Sequence, residues 1–376
     1  MTKILFFNWK DIRHPQSGGA EIVTHELAKK LIAEGNKVTL ITAKYQNSSD
    51  KDEIDGVEIY RIGNKFSHYP LAIKLYLKSF KNQFDIIVEE VNTIPYFINF
   101  FKGKEKMFLF YHQLCRITWF KEMIFPINLI GYIIEPVYTF IQSLFKNPVI
   151  TVSNSSKNDL CKYGFKKENI HIITEGILTK PLKDLSQSKP KESKFTILFH
   201  GSLRSMKRPL EVFKAYNNFL ENLPENERQN TQLWISGDGS EKQKCENFAK
   251  QNNFFDKVVF FGRTSDELKL ELMQKTHILC STSIKEGWGL IVSEANSMGT
   301  PAVVYDVDGL RDAGNMPGNF VVKPDFKSLS EKIKDIYLTK NNNFSMYIEW
   351  QSLALESGYK INFDNCYKDF KQIIDI

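Results

Sequence analysis

Short apolar runs, each followed by a polar or glycine-bearing loop and then by a segment of helical period, recur along the whole chain, and no other feature restricts its fold as much. The first group reads as strand KILFFNW, loop KDIRHPQSGGAE and helix IVTHELAKKLIAEGN, with Ile22, Val23, Leu27, Leu31 and Ile32 as its apolar positions and Gly35 as its stop. KVTLIT follows as the next strand and completes a βαβ unit, which FDIIVEE, KMFLFYH and NPVITVS extend. Strands joined through helices in this way predict a parallel, doubly wound sheet. A second series opens at FTILFHG and continues through QLWISGDG, KVVFFG, HILCSTS and PAVVYD, with helical segments between them. The stretch that separates the two series carries two prolines and many lysines, and residues 179–193 read as a linker.

The expected organisation is therefore α/β, with two Rossmann-like, doubly wound parallel-sheet domains, 1–178 and 194–345, facing a central cleft. Residues 346–376 are expected to form a helical segment packing back on the first domain, with Phe370, Ile373 and Ile374 on one side. Sheets of this kind bind ligands beyond the carboxyl ends of their strands. A length of 376 residues suits two such cores.

Charge and cysteine usage exclude several classes. Residues 1–180 hold 24 Lys and Arg against 18 Asp and Glu, whereas residues 181–376 hold 26 against 26, so all of the excess is N-terminal. Such a bias favours phosphate-bearing ligands or an anionic surface, but no nucleic-acid motif accompanies it. Five scattered Cys without a C-x-x-C pattern argue against a disulfide frame or structural zinc, and point to a reducing cytoplasm. MTKILFFNWKD reads as a first strand and not as a signal peptide.

Residues 117–145 are rich in aromatic and aliphatic side chains, yet Pro126, Glu135 and Pro136 interrupt them too often for a spanning helix. The ordinary reading is helices packed on the first sheet. The other is a surface touching the inner face of a membrane or a lipid-linked acceptor, with Trp119, Phe120, Phe125, Lys121 and Lys146 as its supports.

EGWGLIVSE, Glu286 to Glu294, carries the chemistry. It lies between strand HILCSTS and a helix that stops near Gly299. Gly287 and Gly289 let the backbone approach a ligand, and the helix start that follows offers free N–H groups to phosphate. Glu286 sits at the strand end and Glu294 about a turn into the helix, so one carboxylate can face a sugar and the other a ribose. SGGAE, with Gly18 and Gly19, is a second glycine loop between strand and helix, and His112 ends the strand KMFLFY. DVD at 306–308 has the form of an Asp-x-Asp metal motif, in the loop after AVVY.

EGWGLIVSEANSMGTPAVVYDVDGLRD resembles the donor-site signature of the family 4 retaining glycosyltransferases of GT-B fold. GGAEIVTHELAKKLIAEGNKVTLIT, HQLCRITWF, VSNSSKNDL, EGI, GSLRSMKRP, SGDG and FFGR match in the same order. The resemblance implies that Glu286 contacts donor-sugar hydroxyls and that Glu294 holds the ribose. The backbone of Gly287, Trp288, Gly289 and Leu290 would cradle sugar and diphosphate, with Trp288 standing where Phe is usual. Lys207 matches the diphosphate Lys. Its companion Arg is replaced by Ser202 after Gly201, which leaves Arg204 as the substitute. Gly18 and Gly19 would approach the diphosphate, His112 the donor sugar, and Gly262 and Arg263 the base, while Glu21 and Trp119 would lie on the acceptor side. In the loop after AVVY, where DVD lies, the resemblance implies no metal site. The implied reaction moves a hexose from a UDP- or GDP-sugar to a hydroxyl of a glycan or lipid-linked acceptor, with retention and without a metal or other cofactor. Two rival readings stand beside it: a nucleotide-sugar epimerase of the same architecture, and a nucleotide-sugar-binding subunit without activity.

Overall fold

Every residue after Lys3 in β1 (Lys3–Phe7) is buried, so this strand needs a layer on each face of its sheet. The computed structural model, which describes residues 1–65 and 67–376, provides them. The remaining strands of the first sheet are β2 (Lys37–Thr42), β3 (Lys51–Ile54), β4 (Val57–Arg61), β5 (Ile86–Glu90), β6 (Lys106–Tyr111), β7 (Val149–Thr151) and β8 (Ile170–Ile172). Their order is β3-β4-β2-β1-β5-β6-β7-β8, parallel throughout except for β3 against β4. That antiparallel edge departs from the all-parallel expectation. Its cause is the Asp55-Gly56 turn, where both residues take positive φ, 51° and 82°, as a two-residue hairpin requires.

Helix α1 (Gly19–Ala33) covers one face of this sheet, burying Val23, Leu27, Ala28 and Leu31 against Ile4, Phe6, Val38 and Leu40. Helix α2 (Ile127–Ser143) packs in the opposite sense to a core helix, because its buried residues are Glu135, Tyr138, Thr139 and Gln142. Pro136 inside it has no N–H for the Tyr132 carbonyl, and Arg116 Nη1 donates to that oxygen instead at 3.0 Å.

The second sheet contains β9 (Phe195–His200), β10 (Thr231–Ser236), β11 (Val258–Gly262), β12 (Ile278–Ser281), β13 (Ala302–Tyr305) and β14 (Phe320–Val322). It is wholly parallel, in the order β11-β10-β9-β12-β13-β14. Helix α3 (Pro209–Glu221) fills one face with Val212, Phe213, Tyr216 and Phe219, while α4 (Leu290–Ser297) places Val292 and Ala295 in the other core.

Two expectations about boundaries are corrected. The chain divides into Met1–Gly176 with Phe363–Ile376, and Ile177–Asn362. Residues 179–193 are not a free linker: the Leu182 N–H donates to the Ser297 carbonyl at 3.0 Å, and Lys191 Nζ donates to the Thr276 carbonyl at 2.7 Å and to Thr300 Oγ1 at 2.8 Å. Residues 346–376 do not return as one piece. Helix α5 (Phe344–Lys360) stays with the second unit, where Tyr347 donates to the His277 carbonyl at 2.9 Å and a Cβ on Gly358 would fall 2.5 Å from Ser297 N. Only α6 (Phe363–Ile374) joins the first unit, with Phe363, Cys366, Phe370 and Ile374 in the same core as Ile4 and Phe6. Among the described residues no helix is long and apolar enough to cross a membrane.

Candidate active site

In the second sheet the strand order reverses between β9 and β12, and the segments beyond those two strands hold most of the candidate residues. Past β9, Ser205–Lys207 forms a short turn. Thr282 Oγ1, just past β12, donates to the carbonyls of Lys207 and Arg208 at 3.0 Å each and fixes that turn to the neighbouring strand end. The Lys207 ammonium pairs with Glu286 Oε1, to which Ser283 Oγ donates at 2.5 Å. Two residues widely separated in sequence thus form one ion pair, made by the sheet order.

The Glu286 loop is supported from behind by the loop after β13. The Glu286 N–H donates to the Asp308 carbonyl at 3.0 Å, and a Cβ on Gly309 would fall 2.1 Å from the Glu286 carbonyl oxygen. Gly289, at φ 102° and ψ 53°, turns the chain into α4 as its N-cap, and no side chain caps the helix there. Trp288 is held back on α4 by donating from Nε1 to Ser293 Oγ at 2.9 Å. Glu294 pairs with Lys269 at 2.9 Å. Burial raises the Glu294 carboxyl above its ordinary range, with Lys269 opposing that rise. Burial works against the Lys269 ammonium too, yet Glu294 and Asp266 carry its pKa above the usual value.

The remaining candidates of this unit are distributed unevenly. Positions Gly201 and Gly262 border open space, since a Cβ on either would meet nothing within 4 Å. Arg204 donates from Nε to Ser202 Oγ at 3.0 Å, and Arg263 is exposed. Asp306 and Asp308 of the Asp-x-Asp pattern both face Arg311. Among the described residues no group of His, Cys, Asp and Glu is arranged to hold a metal ion.

In the first unit, β1, β5 and β6 end at a polar cluster. His112 Nδ1 bonds Glu175 Oε1 at 2.8 Å, and its Nε2 lies 3.8 Å from Glu90 Oε2. Glu90 also accepts from Asn8 Nδ2 at 2.6 Å and from Thr24 Oγ1. Burial alone would lower the His112 pKa, but the hydrogen bond to Glu175 and the negative charge of the nearby Glu90 carboxylate overcome it and raise the value to about 10. His112 is therefore an imidazolium at neutral pH.

Three expectations in this unit are corrected. Glu21 is not free on an acceptor side: its Oε2 accepts from the Gly18 N–H at 2.6 Å as a cap for α1, and its Oε1 lies 3.3 Å from Lys10. That bond also occupies the Gly18 N–H expected to meet diphosphate, and Gly18 has an ordinary extended φ of −142°. Gly19 is the first residue of α1. Trp119 is buried, donating from Nε1 to Glu135 Oε2 at 3.1 Å, because Glu135 also gathers the N–H groups of Cys115 and Arg116 at 2.6 Å each. Sequence reasoning missed Lys269, Glu90 and the supporting role of Gly309, for which no spacing signal existed. Glu175 stood in the EGI motif, where its pairing with His112 carried no local mark.

Comparison with known proteins identifies the family and the fold. Residues 17–180 match the model of the glycosyltransferase family 4, and residues 183–349 that of the glycosyl transferases group 1. An uncharacterized glycosyltransferase of Methanocaldococcus jannaschii is 24% identical over 320 residues, 78% of each chain. Sucrose-phosphate synthase from Thermosynechococcus elongatus superposes with a TM-score of 0.76 at 17% identity, covering 100% of this chain and 98% of that one. Anabaena HepE, solved in complex with UDP and glucose, superposes with a TM-score of 0.69 at 14% identity, covering 100% and 99%. With both halves matched in order and a GT-B fold throughout, the chain belongs to the group 1, family 4 glycosyltransferases.

Proposed function

We propose that this glycosyltransferase moves a hexose from a UDP- or GDP-sugar to a hydroxyl of a glycan or lipid-linked acceptor, with retention at the anomeric carbon and without a metal. The observation that carries this reading is the Lys207–Glu286 pair beside the uncapped start of α4, with Glu294 one turn further on. Lys207 and the first N–H groups of α4 are suited to the charge that develops on a departing diphosphate. On donor binding Lys207 would exchange Glu286 for phosphate, which frees the Glu286 carboxylate for sugar hydroxyls. Glu294, held by Lys269, would accept from the ribose. His112, held by Glu175 at Nδ1, is assigned the donor-sugar role that the family resemblance implies. The complex of HepE with UDP and glucose supports a uridine donor. A cytoplasmic setting at the inner face of a membrane accompanies this reading, supported by five free cysteines and by the apolar surface of α2.

The test is the thermal midpoint of the protein with UDP, GDP, ADP or CMP, each with and without EDTA, followed by turnover of the matching sugar donors. A nucleotide at about 100 times its Kd adds about 2.7 kcal/mol. One diphosphate should stabilise regardless of EDTA. Glu286→Gln should then lower kcat far more than nucleotide affinity, and Glu294→Gln chiefly affinity. Equal loss of nucleotide binding in both variants would sink that division of roles.

A further inference from the structure

Helix α2 turns its polar side chains inward and its aliphatic ones outward. Its inner face is fully employed: Glu135 takes the Cys115, Arg116 and Trp119 donors, Thr139 bonds the Glu135 carbonyl at 2.7 Å, and Gln142 bridges Asn99 at 2.6 Å and Glu89 at 3.1 Å. The outer face carries Ile130, Val137 and Phe140 at 50%, 56% and 52% exposure, and the turn before the helix presents Ile124 at 78% and Phe125 at 75%. From Ile124 to Phe145 the buried Glu135 is the sole residue among Asp, Glu, Lys, Arg and His. A helix facing water has the reverse arrangement, and a contiguous apolar patch of this extent marks a surface that is covered in use.

Charge selects the cover. Between Phe101 and Ile170 the chain carries ten Lys and Arg against five Asp and Glu, and three of the five, Glu105, Glu135 and Asp159, are buried. Lys121 and Lys146 are exposed at the two ends of the patch, and Lys162 borders the groove formed with Pro136, Val137 and Phe140. A second copy seated on this face would bring lysine-rich edges against each other, whereas an anionic surface answers both the apolar stripe and its basic edges. At about 25 Å for 17 residues the helix has the length to lie in an interface plane. We propose that the face formed by Ile124–Phe125 and the outer stripe of α2 docks on a bilayer containing anionic lipid, with Lys121, Lys146 and Lys162 over the headgroups. This deepens the transferase reading by bringing the first unit to the place where a lipid-linked acceptor resides.

The test is co-sedimentation of the full chain with vesicles of phosphatidylcholine alone or mixed with phosphatidylglycerol, at low and high salt. The wild type should bind the mixed vesicles on the order of tenfold better than the neutral ones. Ile130→Glu with Val137→Glu, both on the exposed face, should reduce that binding at least about tenfold without changing the thermal midpoint. Lys121→Gln with Lys146→Gln should remove most of the preference for anionic lipid. Failure of the wild type to bind mixed vesicles, or equal binding by the double Glu variant, overturns the proposal. So does a wild-type dimer that the Glu variant converts to monomer while neither binds vesicles. Vesicle binding with no stabilisation by any nucleotide would leave this surface standing and refute the donor reading instead.

Discussion

Replacing Gly309 by Ala should disable the donor site from behind without substituting any residue proposed to meet the substrate. Gly309 has φ 80° and ψ −52°, and the new Cβ would lie 2.1 Å from the Glu286 carbonyl oxygen and 2.9 Å from that of Gly287. Reaching an ordinary contact of 3.4 Å requires the Glu286 loop to move by about 1.3 Å. The loop cannot rotate freely to do so, because the Glu286 N–H is bonded to the Asp308 carbonyl one residue before the substitution. A displacement near 1 Å at a positioned group costs on the order of a hundredfold in rate, equivalent to about 2.7 kcal/mol. The positive φ adds roughly 1–2 kcal/mol of strain that appears in stability alone. Gly35→Ala is the control for that strain, since Gly35 has φ 84° but no atom within 4 Å of a new Cβ. The assay compares kcat/KM for the identified sugar donor and the thermal midpoint in both variants. The expected result is a fall in midpoint for both, larger for Gly309→Ala because of the overlap, with the loss of kcat/KM confined to Gly309→Ala. A Gly309→Ala enzyme within threefold of wild type would refute the argument that the loop after β13 sets the position of Glu286.

Glu135→Leu should destabilise the first unit by roughly 3–5 kcal/mol, as two part-buried backbone donors and the buried Trp119 indole lose their acceptor; urea unfolding reads this, and a change under about 1 kcal/mol would contradict it. The pH dependence follows from His112, whose pKa rises from an ordinary 6.5 to about 10 on folding. A raised folded-state pKa gives stability that is full below about 6.5 and disappears as pH climbs through 10. Wild-type unfolding free energy should therefore decline between those limits more steeply than that of His112→Gln, and parallel profiles would remove His112 as the cause.

The strands at the centres of both sheets were legible because a parallel strand covered on both faces is a nearly unbroken apolar run, as in KILFF and TILFH. The β3–β4 hairpin escaped notice although Asp55-Gly56 is a turn signal, because KDEI is too charged to stand out as a strand. Lys207, Glu286 and Glu294 stand out in the sequence because glycines, a strand end and a helix start surround them. Their partners were hidden for a different reason: Lys269 meets Glu294 and Glu175 meets His112 only after strand order has been decided. In α2 the composition left open a helix packed on the sheet or a membrane-touching surface, and the face that is buried is the polar one, where Glu135 gathers the N–H groups of Cys115 and Arg116.

The return of α6 to the first unit sets an order of events during synthesis. When Gly176 leaves the ribosome, every strand of the first sheet has been made, yet the surface that Phe363, Phe370 and Ile374 will occupy beside Ile4 and Phe6 is still open. The intervening 186 residues take roughly 10–40 s to translate at about 5–20 residues per second. The second unit is continuous in sequence and can close first, so the N-terminal half of this enzyme is the last to finish. During that interval the hydrophobic seam beside Ile4 and Phe6 stays unsealed.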